Sequence, residues 1–431
     1  MAQNTTEHVD NTNEAENADI RDIEKRENNM PPLRRNVLTA LVQDFGPFWF
    51  TWCMNSGVLA ILTHQCPYQF PGLKVISTIF FVFDLTLFVL FSAAFTARFV
   101  IFGSQAYGEI TGELSDLMLC ACWPIAFMTL TSLTSLIASN AYWGRHALTI
   151  VAYVMWWVVC FWALAVLFWV FGDLIAKHEI SVQAGEGVRG KRLPMMVIIP
   201  AVSVSTVAIT GALVASHSYD ISARMAVPVI IVSFLMVGVG ILLGFMLTTY
   251  LFHGLLSQGW PPPPQTASVF ILVGPMGQSA AALQQLGQAA RVYRKFVGYD
   301  KGTFLTGEAA VPLEAACMLI ALLLTGLGII WTFLGVYAMV SRALQKQLKW
   351  TPSWNAIIFP VGTLTTSTTL LATEMDSPAW RVVTAGLIII LLFFFLLNSV
   401  FTLKGIWKGE LLVVREDPRV KRKMQEDHKV R

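Results

Sequence analysis

Phe359 to Leu371 read "FPVGTLTTSTTLL", a proline, a glycine and six hydroxyl side chains in thirteen residues. The stretch is embedded in a chain of 431 residues that is 55% hydrophobic and only 13% charged, with a mean hydropathy of +0.60. That balance excludes a soluble globular domain and identifies a polytopic membrane protein. A spanning helix needs roughly 20 mostly apolar residues, and candidates lie at 44–64, 73–102, 116–138, 146–172, 194–216, 225–252, 267–290, 307–341, 352–373 and 378–404. The Phe359 stretch falls in the ninth. Hydrocarbon gives such hydroxyls nothing to bond, so what they face decides the architecture.

Proline disfavours a helix interior because its ring removes one hydrogen bond and clashes with the preceding turn. Here it recurs on a rhythm. Pro47, Pro124, Pro200, Pro275 and Pro360 fall early in the odd-numbered segments, 77, 76, 75 and 85 residues apart. The even segments lack this pattern and carry only Pro228, Pro312 and Pro378, close to their starts. The period suits a two-helix hairpin repeated five times.

The residues after each proline are "PFWFTWCMNSG", "PIAFMTLTSLTS", "PAVSVSTVAITG", "PMGQSAAALQQLG" and "PVGTLTTSTTLL", all gathering small or polar side chains. By contrast, "FVFDLTLFVLFSAAF" in the second segment and "GLIIILLFFFLLNSVF" in the tenth are apolar on nearly every face. Backbone freed by proline is tolerated at membrane depth only inside protein or against a wet cavity. The competing reading of any single stretch is close helix packing through small residues, but five in register favour a lumen. The expected fold is an all-α membrane protein. Its ten transmembrane helices form five quasi-repeated hairpins around a central pore, with the five proline-kinked helices innermost.

Phe359, Gly362, Thr363 and Thr366 stand at i, i+3, i+4 and i+7 and share one helical face. Ser203, Thr206 and Thr210 do the same in the fifth segment, as do Gly277 and Gln278 with Gly274 and Ala281 in the seventh. Asn55 and Thr131 supply polar groups in the first and third. Such a lining offers neutral donors and no carboxylate ring of the kind that cation pathways use. It also lacks the guanidinium clamp expected for a multiply charged organic substrate. A small inorganic anion is the expected cargo.

Phe359 places a bulky ring on an otherwise slim face and is the candidate gate, its alternative being an ordinary packed aromatic among 28 Phe. Asp84 and Glu314 lie within even segments. Intramembrane carboxylates are costly and mark either proton coupling or a buried structural hydrogen bond; their place off the proline-bearing helices favours the structural role. No cluster of His, Asp or Glu at one depth suggests an enzyme, a metal site or a cofactor, and nothing suggests nucleic-acid binding.

Residues 1–36 are rich in Asn and Glu, poor in aromatics and without an apolar signal region, and are expected to form a disordered cytosolic tail. The transporter domain is expected over 37–410, followed by a charged cytosolic tail at 411–431 that can meet anionic lipid headgroups. Arg34, Arg35, Lys177, Arg189, Lys191, Arg192, Arg342, Lys346 and Lys349 fall on one side of ten alternating spans and set both termini in the cytosol. Arg291, Arg294, Lys295 and Lys301 fall on the other side and disagree. The six cysteines suggest no disulfide framework, and the seven histidines are scattered over tails, loops and span ends.

These features resemble the tellurite-resistance/dicarboxylate transporter family, over roughly residues 40–410. The blocks "DFGPFWFTWCMNSGVLAIL" (44–62), "YVMWW" (153–157), "VIIPAV" (197–202), "LVGPMGQ" (272–278), "FPVGT" (359–363) and "SPAWRVV" (377–383) are similar in order to its fungal sulfite-exporting branch. "MNSG" (54–57) is more similar to the fungal malate-transporting branch. Val361 and Trp380 depart from the sulfite branch, which more often has Met and Phe there. The resemblance implies plasma-membrane export of sulfite or bisulfite, or else transport of a C4-dicarboxylate such as malate. It also implies a pore occluded by Phe359 and, as in relatives, a homotrimer with one pore per subunit.

Overall fold

Apolar runs of this length satisfy their backbone in hydrocarbon only as helices or closed barrels, and this chain forms helices. The computed structural model describes residues 41–183, 193–408 and Leu411. The tail expected at 1–36, the basic residues Arg189 to Arg192 and the C-terminal tail apart from Leu411 lie outside the described residues. Residues from Phe45 onward form one unit, and the short described stretch 41–44 belongs to another.

The principal helices are α1 (Phe50–His64), α2 (Leu73–Gly112), α3 (Cys122–Leu133), α4 (Arg145–Gln183), α5 (Ile199–His217), α6 (Ala223–Gln258), α7 (Val273–Ala290), α8 (Gly307–Leu344), α9 (Asn355–Glu374) and α10 (Pro378–Trp407). Nine helical segments, α2 to α10 with their flanking turns, are long and apolar enough to cross a membrane, among the described residues. The expectation of ten differs at α1. Its 15 residues follow a separate 3-10 turn at Pro47–Trp49, because Pro47 opens a tight turn that the α-helix succeeds rather than extends.

Burial divides the helices into two kinds. The most apolar 18-residue windows around α5 and α7 are wholly buried and those around α3 and α9 are 89% buried, whereas α2 is 11% buried and α6 reaches only 44%. α1 is buried along nearly its whole length. Among the buried helices α1 packs on α3, α3 on α5, α5 on α7, α7 on α9, and α9 back on α1, which closes a circuit. Each exposed helix leans on two members of it: α2 on α1 and α3, α4 on α3 and α5, α6 on α5 and α7, α8 on α7 and α9, α10 on α9 and α1. The exposed faces are rows of Leu, Ile, Val and Phe, such as Leu323 and Phe333 on α8 or Ile389 and Phe393 on α10.

The five recurring prolines sit at helix beginnings more than at mid-helix kinks. Pro47 opens its 3-10 turn, Pro124 and Pro275 are third in their α-helices, and Pro200 is second. The N–H that proline lacks has no intrahelical partner in a first turn, so these four cost their helices little. Pro360, sixth in α9, is the one of the five set inside its helix.

Candidate functional site

The lining of successive cavities advances in step along the five buried helices, so these helices run parallel and enclose one axis. The first chamber, of about 60 Å³, lies among their N-terminal parts and is walled by Phe48, Met54, Ile125, Ile199, Val202 and Ile271, with Asn55 and Asn355 among its few polar groups. The second, of about 30 Å³, lies further along and is lined by Thr129, Ser132, Thr206, Thr210, Gln278 and Thr366. Phe359 lines both. Its ring is therefore the shared wall, in the α9 turn where Pro360 comes next. Among the described residues neither lining contains Lys, Arg, His, Asp or Glu.

Beyond the second chamber, around the C-terminal ends of α1 and α5 and the loop after α7, a wide vestibule of about 770 Å³ carries ionisable groups: His64, Lys74, His217, Tyr219, Asp220 and Tyr293. The Tyr293 hydroxyl and His217 Nε2 are 3.0 Å apart, and Lys295 donates to the Ile221 carbonyl at 2.7 Å. In this loop, outside the spans, burial pushes the Lys295 ammonium below its ordinary value and the Tyr293 phenol above it.

Several expected lining residues lie elsewhere, for packing reasons. Gly277 faces α9, touching Thr363 and Leu364, and Gly362 faces Val58 of α1. They let neighbouring helices of the circuit approach and line neither chamber. Thr363 donates to the Pro360 carbonyl, Thr131 to the Phe127 carbonyl, and the buried Ser203 hydroxyl has no partner among the described residues. Asn55, Thr206, Thr210, Gln278, Thr366 and Phe359 do line a chamber. Thr129 and Ser132 line the second chamber although the spacing does not single them out.

The expectation of a lumen rich in donors also changes. A hydroxyl has one proton, and most of these are already spent. Thr206 Oγ1 donates to the Val202 carbonyl at 2.7 Å and Thr366 Oγ1 to the Gly362 carbonyl at 3.1 Å. Ser132 donates to Thr210 Oγ1 at 3.3 Å. Hydroxyls satisfied by their own helix present lone pairs, not protons, to the chamber.

The two intramembrane carboxyls line neither chamber. Asp84, fully buried on α2, accepts from Ser56 Oγ of α1 at 3.3 Å and from Thr129 Oγ1 of α3 at 3.0 Å. It bridges two helices from behind the wall. Glu314 of α8 pairs with Arg291 just past the end of α7, which balances one of the cations that disagreed with the charge rule. We expect Asp84→Asn to keep the fold and potential-driven transport. An amide still accepts one of the two bonds, and both hydroxyls have carbonyls of their own helices within reach. Flux and thermal midpoint of the purified variant check this, and loss of a pH-dependent flux component alone would make the carboxyl a coupling group.

The voltage-dependent anion channel family (SLAC1) matches residues 44–403. The sulfite efflux pumps SSU1 of Arthroderma benhamiae and Trichophyton rubrum are each 27% identical over 338 residues, covering 78% of this chain and 84% of theirs. A putative malic acid transport protein of Schizosaccharomyces pombe is 23% identical over 374 residues, covering 86% of this chain and 81% of its own. The match spans the buried circuit and reaches into the last exposed helix: the chain belongs to the voltage-dependent anion channel family.

Proposed function

We propose that this protein exports sulfite or bisulfite across the plasma membrane and so confers sulfite tolerance. The observation that carries the proposal is the axial series of two uncharged chambers divided by one ring, Phe359, in a family of anion transporters. In this reading α1 is the tenth span, the chain is five repeated hairpins around a pore, and Phe359 is the gate. The closed circuit of buried helices supports that arrangement.

The electrostatics favour an anion. Five parallel helices direct their N-termini towards the first chamber, and a helix N-terminus carries about half a positive charge. No carboxylate of the lining opposes it. With both termini cytosolic, an inside-negative potential drives a singly charged anion outward by roughly 2.3 kcal/mol per 100 mV. Assembly as a homotrimer, one pore per subunit, completes the reading.

Malate is the second reading, supported by the fission-yeast relative and by the "MNSG" block in α1. Sulfite efflux from proteoliposomes under a set potential, with and without excess malate, separates the two. We expect voltage-driven sulfite flux that malate leaves untouched. Malate flux with little sulfite flux assigns the protein to dicarboxylates instead.

A further inference from the structure

Every side-chain donor of the second chamber, among the described residues, can be traced to a partner except at two side chains. Gln278 Nε2 lies 2.9 Å from Thr206 Oγ1. Because the Thr206 proton goes to the Val202 carbonyl, its oxygen must accept, which fixes the amide orientation and leaves the second N–H of Gln278 unspent. Thr210 accepts from Ser132 and donates to nothing among the described residues, so its O–H is also unspent. Both side chains line the second chamber, directly beyond the Phe359 ring. Besides Thr206, the other hydroxyls there, Thr129, Ser132 and Thr366, have given their protons away.

We propose that Thr210 and Gln278 form an anion-holding site immediately past Phe359, and that this site takes a singly charged oxyanion: bisulfite and not the sulfite dianion. The inference rests on the anion-export reading above and assigns the charge state of its cargo. The idealised cost of taking an ion out of water rises with the square of its charge, so a dianion meets a penalty about four times that of a monoanion. Two neutral donors and no cation offset little of it. To reach the site the ion also crosses the first chamber, whose walls are Met54, Ile125, Ile199, Val202 and Ile271. Its hydroxyls are committed elsewhere, Thr51 to the Phe48 carbonyl and Ser353 to the Pro264 carbonyl, and its two amides, Asn55 and Asn355, each give one N–H to a neighbour. A chamber of about 30 Å³ exceeds the ~10–15 Å³ that one water requires, which suits a small ion that has shed most of its shell. Neutral donors hold a monoanion weakly enough to release it towards the vestibule, as conduction requires.

The test uses the full-length protein in proteoliposomes at fixed potential, corrected for protein-free vesicles, with nitrate, sulfate and radiolabelled sulfite as probes. Nitrate flux should exceed sulfate flux at least tenfold. At constant total sulfite, flux should rise as pH falls through the second dissociation of sulfurous acid, with one charge moved per sulfur. Sulfate flux comparable to nitrate, or two charges per sulfur, overturns the charge assignment while leaving anion export intact. Absence of flux for every anion removes the export reading and this inference with it. For the site itself, Thr210→Ala should reduce bisulfite flux several-fold while Thr210→Ser, which restores the O–H, retains it. Gln278→Leu should reduce flux likewise. Equal flux through Thr210→Ala and Thr210→Ser, in protein that elutes as the parent does, overturns the assignment of Thr210.

Discussion

Phe359→Ala is expected to open the pathway and raise anion flux by about tenfold or more, which corresponds to removing about 1.4 kcal/mol of barrier. The ring is the wall that two chambers share, so its loss joins spaces of about 60 and 30 Å³ into one. Truncating a buried Phe usually costs ~3–5 kcal/mol of stability. Here the ring already borders a void on both sides and forfeits fewer contacts, so the lower end of that range is expected. Phe359→Leu, intermediate in bulk, should give intermediate flux. Current or tracer flux normalised to inserted protein checks both variants. A well-inserted alanine variant with unchanged flux would remove Phe359 from the role of gate and return it to ordinary packing, leaving the chambers to be closed by something else.

Which helices are interior was legible because proline and hydroxyl clusters are written in composition at fixed spacing, and burial fell where they fell: α3, α5, α7 and α9 are interior, and the other long helices carry the exposed Leu and Phe. What could not be read is helix phase. Thr129 and Ser132 face the second chamber from positions five and eight after Pro124, Thr206 and Thr210 from six and ten after Pro200, and Gln278 from three after Pro275. A proline at a helix start does not fix the rotation of the turns after it, and 3-10 and π turns change that rotation further. Thr131, the residue expected to line from α3, lies in neither chamber wall. Small residues carried a second ambiguity: Gly277 and Gly362 read equally as lining or as packing, and only the neighbouring helix distinguishes these. His64 and His217 look scattered in the sequence, yet each closes a buried helix, α1 and α5, and the two meet in one vestibule. Their common position at helix ends was the signal.

Gly277→Ala tests the packing role with the larger stability effect. Alanine is the better helix former by roughly 0.8–1 kcal/mol, so at an unobstructed site this exchange stabilises. At Gly277 a β-carbon would stand 2.5 Å from the Leu364 backbone nitrogen and 2.7 Å from the Thr363 carbonyl carbon, besides meeting the Thr363 hydroxyl. Backbone cannot swing aside as a side-chain end can, so α7 and α9 must separate. Overpacking of this kind costs ~1–3 kcal/mol and sometimes more, which outweighs the propensity gain. A large drop in thermal midpoint is therefore expected for the detergent-purified variant. Gly326→Ala on the exposed side of α8, where a β-carbon meets nothing within 4 Å, should hold or raise the midpoint and serves as the control. The separation also displaces Gln278, the next residue and a lining member of the second chamber, so surviving Gly277→Ala protein should transport poorly. If instead both alanine variants are equally stable, α7 and α9 are not in contact at Gly277, and the closed circuit that encloses the two chambers loses one of its five sides.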